Sequence, residues 1–325
     1  MVEYYDNDFS FEEHQIEMEQ KLHSLRCSSA ETAEIDATID DDDRVKLQPK
    51  IQAQCWDGFH TSHSTGNFFK PRRYIMKCFP CILEHCATTE DSTQMEQPKR
   101  LILEIGCGSG SSCLPVLKNC TESTIILACD CSAKAVDVCK SVVQSFTDSK
   151  NFGAFVSDPS LESDESDTSF VQDVKAAHMK LLTEETTITN NDDVGLADIV
   201  LMVFVLSAVP PKRVPRFMKQ IYDAVKCGGK VCFRDYALYD MPMMRFKETH
   251  SIHSTCCDSD GKSPRLYERG DGTLSRFFSL DTVRDIFESA GFIVEELRYA
   301  TVFNDNRKTG ERLKRAFVHA VFRKP

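Results

Sequence analysis

Long apolar runs are missing from this sequence of 325 residues, in which no stretch approaches the roughly 18 to 20 uninterrupted apolar residues that a membrane-spanning helix needs. The N-terminus is acidic and aromatic, and it lacks the basic region and apolar stretch of a signal peptide. It also lacks the composition of a transit peptide, which is rich in Arg and Ser and poor in acidic residues. We therefore expect a cytoplasmic protein, with a nuclear location as the alternative.

Cysteine, in contrast, is abundant, with 15 residues. In a chain of this size without an export signal we expect reduced thiols, many of them packed as small hydrophobic side chains. The segment Cys78-x-x-Cys81-x-x-x-His85-Cys86 has ligand-like spacing. A structural zinc site needs four ligands, however, and no second pair with matching spacing follows. We therefore expect no metal.

The net charge of -11 is unevenly distributed along the chain. Residues 1–200 carry 17 basic and 35 acidic side chains, whereas residues 201–325 carry 22 basic and 15 acidic ones. A polyanionic partner would therefore meet the C-terminal half. Candidate phosphate contacts there are Lys212, Arg213, Arg216, Arg245, Lys247, Arg269 and Arg276.

The composition divides the chain into four parts, one of which carries an insertion. The predicted parts are an acidic and largely flexible arm over 1–50, with a helix over Phe11–Leu25; an aromatic and basic segment over 51–86; a linker over 87–98; and a domain over 99–325 with an acidic insertion over about 159–196.

Strand and helix patterns alternate through the predicted domain. The expected strands cover 101–105, 125–129, 154–156, 199–206, 230–234, 292–299 and 316–323, and the expected helices cover 112–119, 132–146, 170–182, 214–225 and 281–290. This alternation predicts an α/β fold, a Rossmann-like doubly wound sheet that is mostly parallel. The last two strands have no crossover helix between them and should form an antiparallel pair.

The strongest local motif is the glycine-rich turn after the first strand, Leu103-Glu-Ile-Gly106-Cys-Gly108-Ser-Gly110. A dinucleotide fingerprint would place its third glycine at position 111, which is Ser. The observed spacing is that of S-adenosylmethionine sites, where no pyrophosphate needs a cradle. Asp130 ends the second strand, where its carboxylate is placed to accept hydrogen bonds from both ribose hydroxyls of a cofactor. An acidic residue at this place would serve NAD equally well.

Two further strand ends carry polar side chains at the edge where α/β sheets bind ligands. Asp158 closes the third strand and can accept from an adenine amino group, with Asp173 as the rival and a surface carboxylate as the alternative. The fifth strand ends in the polar side chains of Arg234, Asp235 and Tyr236. These suggest substrate handling, unless they only anchor the next loop.

The segment from Trp56 to Lys77 interleaves aromatic and basic side chains, a mixture that stacks on unpaired bases and neutralises phosphates. In most soluble proteins such aromatics belong to the core, so this composition alone leaves both interpretations open.

Taken together, these stretches resemble the tRNA N3-methylcytidine methyltransferases, which act on the anticodon loop. The likeness covers about residues 55–325. It is carried by Trp56-Asp-Gly-Phe59-His60 with Phe68-Phe69-Lys70, the glycine-rich turn, Ala128-Cys-Asp130, Phe204-Val-Leu-Ser-Ala-Val209, Phe233-Arg-Asp-Tyr-Ala-Leu-Tyr-Asp240 with Arg245-Phe-Lys247, and Tyr267-Glu-Arg-Gly-Asp-Gly-Thr273 with Phe277-Phe278.

The resemblance implies both a cofactor site and a tRNA surface. The implied S-adenosylmethionine contacts are Trp56, His60, Gly106, Gly108, Gly110, Asp130, Asp158, Pro159 and Val203, and the implied tRNA contacts are Phe68, Phe69, Lys70, Arg72, Arg73, Arg245, Lys247 and Arg269. His60 stands where the family usually has Tyr, and Pro159 where it usually has Leu. The family's Phe-Phe-Lys-Asp-Arg-His-Trp reads Phe-Phe-Lys-Pro-Arg-Arg-Tyr over 68–74.

The segment Tyr5-Asp-Asn-Asp-Phe-Ser10 resembles the branch acting on threonine and arginine tRNAs more than the serine branch. The resemblance also implies an accessory protein, such as a tRNA synthetase, as a candidate partner.

The expected mechanism is an in-line methyl transfer to cytosine N3, whose in-plane lone pair needs no prior deprotonation. A carboxylate near the ring would stabilise the positive charge that develops there, which makes Asp235 the candidate, with Arg234 on the base carbonyl or a phosphate and Tyr236 stacking. The rival classes are a small-molecule or protein methyltransferase, a catalytically silent module of the same fold, and an NAD oxidoreductase.

Overall fold

A computed structural model of the chain describes residues 6–28, 49–66, 68–86, 100–147, 150–161, 169–182, 196–246, 251–252, 265–305 and 310–325. The predicted linker over 87–98 lies outside these ranges, as do residues 162–168 and 183–195 of the predicted insertion.

A seven-stranded sheet forms the centre of the described structure. Its strands are β1 (Arg100–Ile105), β2 (Thr124–Asp130), β3 (Phe152–Val156), β4 (Ala197–Val203), β5 (Val225–Tyr236), β9 (Ile293–Asp305) and β10 (Arg312–Arg323). They are arranged in the order β3-β2-β1-β4-β5-β10-β9. The neighbours from β3 to β5 pair in parallel, whereas β10 pairs antiparallel with both β5 and β9. The predicted fold class and its C-terminal antiparallel pair are confirmed.

Helices cover both faces of this sheet. They are α1 (Phe11–Ser28), α2 (Pro49–Ser62), α3 (Ile75–Cys78), α4 (Pro80–Cys86), α5 (Cys113–Leu117), α6 (Ala133–Gln144), α7 (Phe170–Leu182), α8 (Val214–Ala224) and α9 (Leu280–Ser289). Serines start α6 and α9, where the Ser132 Oγ accepts from the Ala135 amide and the Ser279 Oγ accepts from the Thr282 amide. Since both faces are covered, β1 and β2 are buried along almost their whole length and are mostly apolar.

Three local expectations differ from the structure. The fourth strand ends at Val203 instead of 206, because Phe204 takes a left-handed backbone conformation (φ 60°) and a 3₁₀ turn follows at Leu206–Ala208. The fifth strand covers Val225–Tyr236 instead of 230–234, so it begins directly after α8. The loop after β5 holds a small antiparallel sheet of β6 (Ser251–Ile252), β7 (Arg265–Glu268) and β8 (Leu274–Phe277).

The described part of the acidic arm is attached to the domain, which differs from the expectation of a largely flexible segment. Phe11 is buried and stacks on Tyr299, and the Asn7 backbone bridges to Thr301 of β9. A carboxylate oxygen of Asp6 lies 3.5 Å from Arg234 and 3.0 Å from Arg298. Burial of an aromatic ring and pairing with basic side chains therefore hold residues 6–28 against the sheet edge.

Cysteine pairing also differs from expectation at one place. Cys86, at the end of α4, is joined to Cys120 as a disulfide. The Sγ of Cys81, in the ligand-like segment, lies 3.5 Å from the Sγ of Cys232. The described residues contain no cluster of three or more potential metal ligands. Among the helices of the described ranges, none is long and apolar enough to cross a membrane.

Candidate active site

A cavity of about 1050 Å³, counted out to its open mouth, lies at the carboxyl ends of β1 to β5. The chain runs outward from β1 to β3 and returns at β4, so the sheet reverses its order between β1 and β4. Open α/β sheets bind ligands at such a switch point. The lining includes Gln52, Trp56, His60, Phe69, Arg72, Gly106, Gly108, Asp130, Cys131, Ser157, Asp158, Pro159, Val203, Phe204, Ser207, Tyr236 and Arg269.

One side of the cavity, which we call the glycine side, is built by the turn after β1 together with Asp130 and Asp158. Gly106 and Gly108 both have positive φ, at 65° and 51°. A Cβ on Gly106 would lie 2.6 Å from a methyl carbon of Val205, and one on Gly108 would lie 3.6 Å from the His60 ring. The turn therefore needs glycine for its backbone conformation, and at Gly106 also for space.

Asp130 fixes the glycine side to the next helix. Its carboxylate accepts hydrogen bonds from the Gly108 amide at 2.9 Å and the Ser132 amide at 3.0 Å. Burial raises the pKa of Asp130 to about 6. This side chain therefore shapes the turn at the same time as it lines the cavity.

The strand end at 157–160 supplies the next wall. Asp158 lines the cavity and accepts from the Ser160 amide at 2.9 Å, and burial raises its pKa. Asp173 on α7 does not line the cavity; it accepts from the Ser157 hydroxyl at 2.7 Å. Of the two candidates for the adenine contact, the structure thus places Asp158 at the cavity and Asp173 behind it.

Helix α2 closes the glycine side from outside the sheet. Its Asp57 accepts from the Ser132 hydroxyl at 2.6 Å and from the Lys134 amide at 3.1 Å, which ties α2 to the start of α6. Trp56 and His60 then line the cavity. Burial lowers the pKa of His60 to about 4, so this ring is neutral at physiological pH.

A second group of lining residues, which we call the aromatic side, consists of Phe69, Arg72, Phe204, Tyr236 and Arg269. The Phe204 and Tyr236 ring centroids are 4.8 Å apart. The Arg72 guanidinium lies 5.1 Å from the Phe204 ring, and that of Arg269 lies 5.8 Å from the Tyr236 ring. Flat π-faces flanked by guanidinium groups suit a nucleobase and its phosphates.

Arg234 and Asp235 do not line the cavity, although Tyr236 beside them does. Asp235 is fully buried, and its carboxylate accepts from the amides of Ser207 at 2.9 Å and Tyr236 at 2.8 Å. Burial raises the pKa of Asp235 to about 6. Arg234 is 1% exposed, and its guanidinium lies 5.5 Å from the Tyr74 ring and 4.8 Å from the Phe317 ring.

The remaining predicted residues lie apart from the cavity. Gly110 faces Cys113 and Cys139 beneath the turn. Phe68 is 55% exposed and contacts Phe59 and His63, while Lys70 and Arg73 are exposed beside it. Arg245 is exposed and pairs with Glu311, and Lys247 lies outside the described residues.

The other basic candidates differ in exposure. Lys212 is exposed, and Arg213 and Arg216 are half-buried. Arg276 is buried against the Phe278 ring, so the expectation of a phosphate contact at Arg276 is wrong in this conformation. Its strand β8 is buried along its whole length, which leaves no outward face for this side chain.

Several lining residues were missed by the sequence analysis. Gln52 bonds to the backbone of Gly272 and Leu274 and so connects α2 to the turn between β7 and β8. Phe204 and Ser207 belong to a stretch used only for the family resemblance. The signal that could have found them is their position directly after a buried strand at the switch point.

Comparisons with known proteins agree with this geometry. Residues 87–297 match the family model described as a methyltransferase domain. The chain is 33% identical over 271 residues to the Drosophila melanogaster tRNA N(3)-methylcytidine methyltransferase Mettl2, covering 83% of this chain and 70% of that protein. It is 30% identical over 289 residues to the human tRNA N(3)-cytidine methyltransferase METTL6, covering 88% and 85%. A solved SAM-dependent methyltransferase from Anabaena variabilis shares the fold, with a TM-score of 0.54 and 11% identity over 84% of this chain and 95% of that one.

The sheet order, the glycine turn and the domain match together define a methyltransferase-domain protein. Within that class, the chain belongs to the family of the tRNA N(3)-methylcytidine methyltransferases. Its cofactor is S-adenosylmethionine, and the residues present fit it, because the positive-φ glycines leave the turn open and Asp130 presents a carboxylate to the cavity.

Proposed function

We propose that this protein methylates N3 of a cytidine in tRNA, at position 32 of the anticodon loop. The observation that carries the proposal is that the glycine side and the aromatic side line one and the same cavity. A cofactor site and a surface suited to a nucleobase thus share one space. The relatives named for tRNA cytidine methylation support this substrate.

The glycine side holds the cofactor in this proposal. S-adenosylmethionine, when bound, supplies a methyl group carried on a sulfonium. Asp130 would accept from the ribose hydroxyls and Asp158 from the adenine amino group, while Trp56, Pro159 and Val203 form the less polar walls. Neutral His60 places no positive charge on this side of the cavity.

Positioning is the main chemical task, because cytosine N3 already carries a lone pair and needs no base to remove a proton. Correct alignment of reacting groups can supply up to about 7–11 kcal/mol of the barrier. The pairing edge of the base is the nucleophile, so the cytidine must be unstacked and unpaired, as it can be in a loop.

The three candidate catalytic residues have unequal access to that base. Tyr236 lines the cavity, whereas Asp235 and Arg234 are buried behind it. Asp235→Ala separates the two roles that remain for the carboxylate. Loss of methylation with cofactor affinity retained would support a direct electrostatic role, whereas equal loss of both would make Asp235 a structural residue that holds the turn at Ser207.

The experiment that tests the function is a product analysis. The protein is incubated with radiolabelled S-adenosylmethionine and total tRNA, and the digested nucleosides are separated. We expect the label in 3-methylcytidine. Label in another nucleoside would contradict the assigned atom, and tRNA without label while a protein or small molecule gains it would favour the rival classes of methyltransferase.

Isoacceptor and partner choice are further parts of the proposal. We propose threonine or arginine tRNAs as substrates, on the resemblance of the Tyr5–Ser10 sequence to that branch, and a tRNA synthetase-like protein as an accessory partner. Purified isoacceptors assayed with and without cell extract test both points, and rapid methylation of a serine tRNA alone would contradict the first. Affinity for tRNA should also fall steeply with salt, as expected when phosphates release counterions.

A further inference from the structure

The backbone of Phe204 is strained at the place where β4 meets the cavity. Its φ is 60°. Within the described ranges, Tyr239 (φ 63°) is the only other non-glycine residue with a positive φ. Left-handed backbone conformations are costly for side chains with a Cβ, and they persist at functional sites where surrounding structure enforces them.

Two hydrogen bonds from the strained turn to β5 enforce this conformation. The Phe204 amide donates to the Arg234 carbonyl at 2.8 Å, and three residues later the Ser207 amide donates to the buried Asp235 carboxylate at 2.9 Å. The turn is therefore tied at both ends to the strand that carries Tyr236.

The consequence of the strain is the position of the Phe204 ring. The ring lies 4.8 Å from Tyr236 and 5.5 Å from Phe317, and it lines the cavity. A chain that continued β4 in an extended conformation would carry this side chain elsewhere, because successive side chains of a strand alternate between its faces.

We propose that Phe204 contacts the substrate directly and forms, with Tyr236, the aromatic surface on which the target pyrimidine stacks. This inference rests on the proposed function and names the substrate-contact residue of the same site. Methylation at N3 turns the neutral ring into a cation, and aromatic faces attract a cation more strongly than a neutral ring. The stack therefore favours the charge that develops in the transition state over the ground state.

The arginines on either side complete the surface. Arg72 is held by its own bond to the Ser112 hydroxyl at 2.8 Å, and Arg269 by a bond to the Ser275 hydroxyl at 3.2 Å. The Arg72 guanidinium is thus held over the Phe204 ring and that of Arg269 over the Tyr236 ring, from where they can swing to the phosphates that flank a flipped nucleotide as the base takes their place on the rings.

The test compares Phe204→Leu with Phe204→Tyr. Leucine is apolar and, like phenylalanine, has a Cβ that must accommodate the positive φ at this position, but it has no aromatic face. Tyrosine keeps the aromatic ring. Phe146→Leu, at an exposed position outside the cavity, is the matched control. Each variant is assayed for kcat and KM with total tRNA, for affinity towards S-adenosylhomocysteine by calorimetry, and for melting temperature.

We expect Phe204→Leu to lower kcat/KM by about 10- to 100-fold, the effect of losing one base–aromatic stack. Its affinity for S-adenosylhomocysteine and its melting temperature should match those of Phe146→Leu. Phe204→Tyr should recover most of the activity.

Two results would overturn the inference. Unchanged methylation by Phe204→Leu would show that the ring does not meet the base, and a parallel loss of S-adenosylhomocysteine affinity or folding would make Phe204 a cofactor or core residue. A wild-type protein that methylates no tRNA would instead contradict the proposed function, so the two failures are distinguishable.

Discussion

The two sides of the cavity are built in different ways. The glycine side comes from strand ends that follow one another along the chain, with Gly106, Asp130 and Asp158 each within two residues of the end of a strand. The aromatic side combines Phe69, Phe204 and Arg269 from three segments separated by more than sixty residues each. The ends of consecutive strands supply most of the first side, whereas the second side depends on packing between distant segments.

This difference predicts where a mutation acts. A change on the glycine side should act mainly on cofactor affinity, and a change behind the aromatic side should act mainly on methyl transfer. Gly106 is the point where the two sides touch, because the missing Cβ leaves room for Val205, the neighbour of Phe204.

Gly106→Ala should therefore have the largest effect. An alanine at this position must adopt the left-handed backbone conformation, which costs about 1–2 kcal/mol for a residue with a Cβ. Its Cβ would also lie 2.6 Å from a Val205 methyl carbon, and such overpacking costs about 1–3 kcal/mol more. We expect a loss of about 2–5 kcal/mol in the free energy of unfolding by urea denaturation, with both cofactor affinity and methylation reduced.

Gly228→Ala is the control for the backbone cost alone. Gly228 also has a positive φ, at 78°, but a Cβ there would have no neighbour within 4 Å. This variant should lose only the smaller amount, about 1–2 kcal/mol. Equal losses in the two variants would mean that Val205 moves aside freely and that the two sides of the cavity are not coupled at Gly106.

Asp130→Ala should have the next largest effect, confined to the glycine side. The change removes a carboxylate that accepts from the Gly108 and Ser132 amides, and hydrogen bonds to a charged group are each worth about 1.5–3 kcal/mol. We expect the affinity for S-adenosylhomocysteine to fall at least about 100-fold by calorimetry. Asp137→Ala, at an exposed position on α6, should leave it unchanged. A loss of less than threefold in the Asp130 variant would place the cofactor ribose elsewhere.

The same contrast explains what the sequence could predict. The sheet, the glycine turn and the lining by Asp130 and Asp158 follow from local patterns: apolar runs, turn glycines, and polar residues at strand ends. Local patterns could not show that α2 is tied over the cavity through Asp57, or that Phe204 leaves the strand early, because both depend on contacts between distant segments.

The strand alternation of β5 explains part of the placement of Arg234 and Asp235. Neighbouring residues of a strand point to opposite faces of a sheet, so the three consecutive candidates at the end of β5 could not all face one ligand. The structure places Arg234 against Tyr74 and Asp235 against the turn at Ser207, which leaves Tyr236 at the cavity. Period-two alternation sets Asp235 apart from Arg234 and Tyr236. The burial of Arg234 beside Tyr74 depends on packing against a distant segment, which this alternation does not show.

The arm supports the aromatic side from behind. Asp6 pairs with the buried guanidinium of Arg234, which lies 4.8 Å from the Phe317 ring, and Phe317 in turn packs against Phe204. No residue of 6–28 lines the cavity on the glycine side. The arm should therefore influence methyl transfer more than cofactor binding.

Asp6→Ala should have the smallest effect of the three changes. It removes a carboxylate from Arg234 and Arg298, and we expect a loss of about 1–2 kcal/mol in the free energy of unfolding, near the lower range for hydrogen bonds to charged groups. Methylation should fall several-fold because the packing behind Phe204 loosens, while calorimetry should show unchanged affinity for S-adenosylhomocysteine.

Asp8→Ala separates this effect from a general loosening of the arm. Asp8 accepts from the Phe303 amide at 2.8 Å and so anchors the same segment, but the structure gives it no ion pair with Arg234. If the arm acts through Arg234, Asp6→Ala should lower kcat more than Asp8→Ala at a similar loss of stability. If the two variants lose equal activity, the arm contributes only general stability, and the aromatic side depends on the sheet alone.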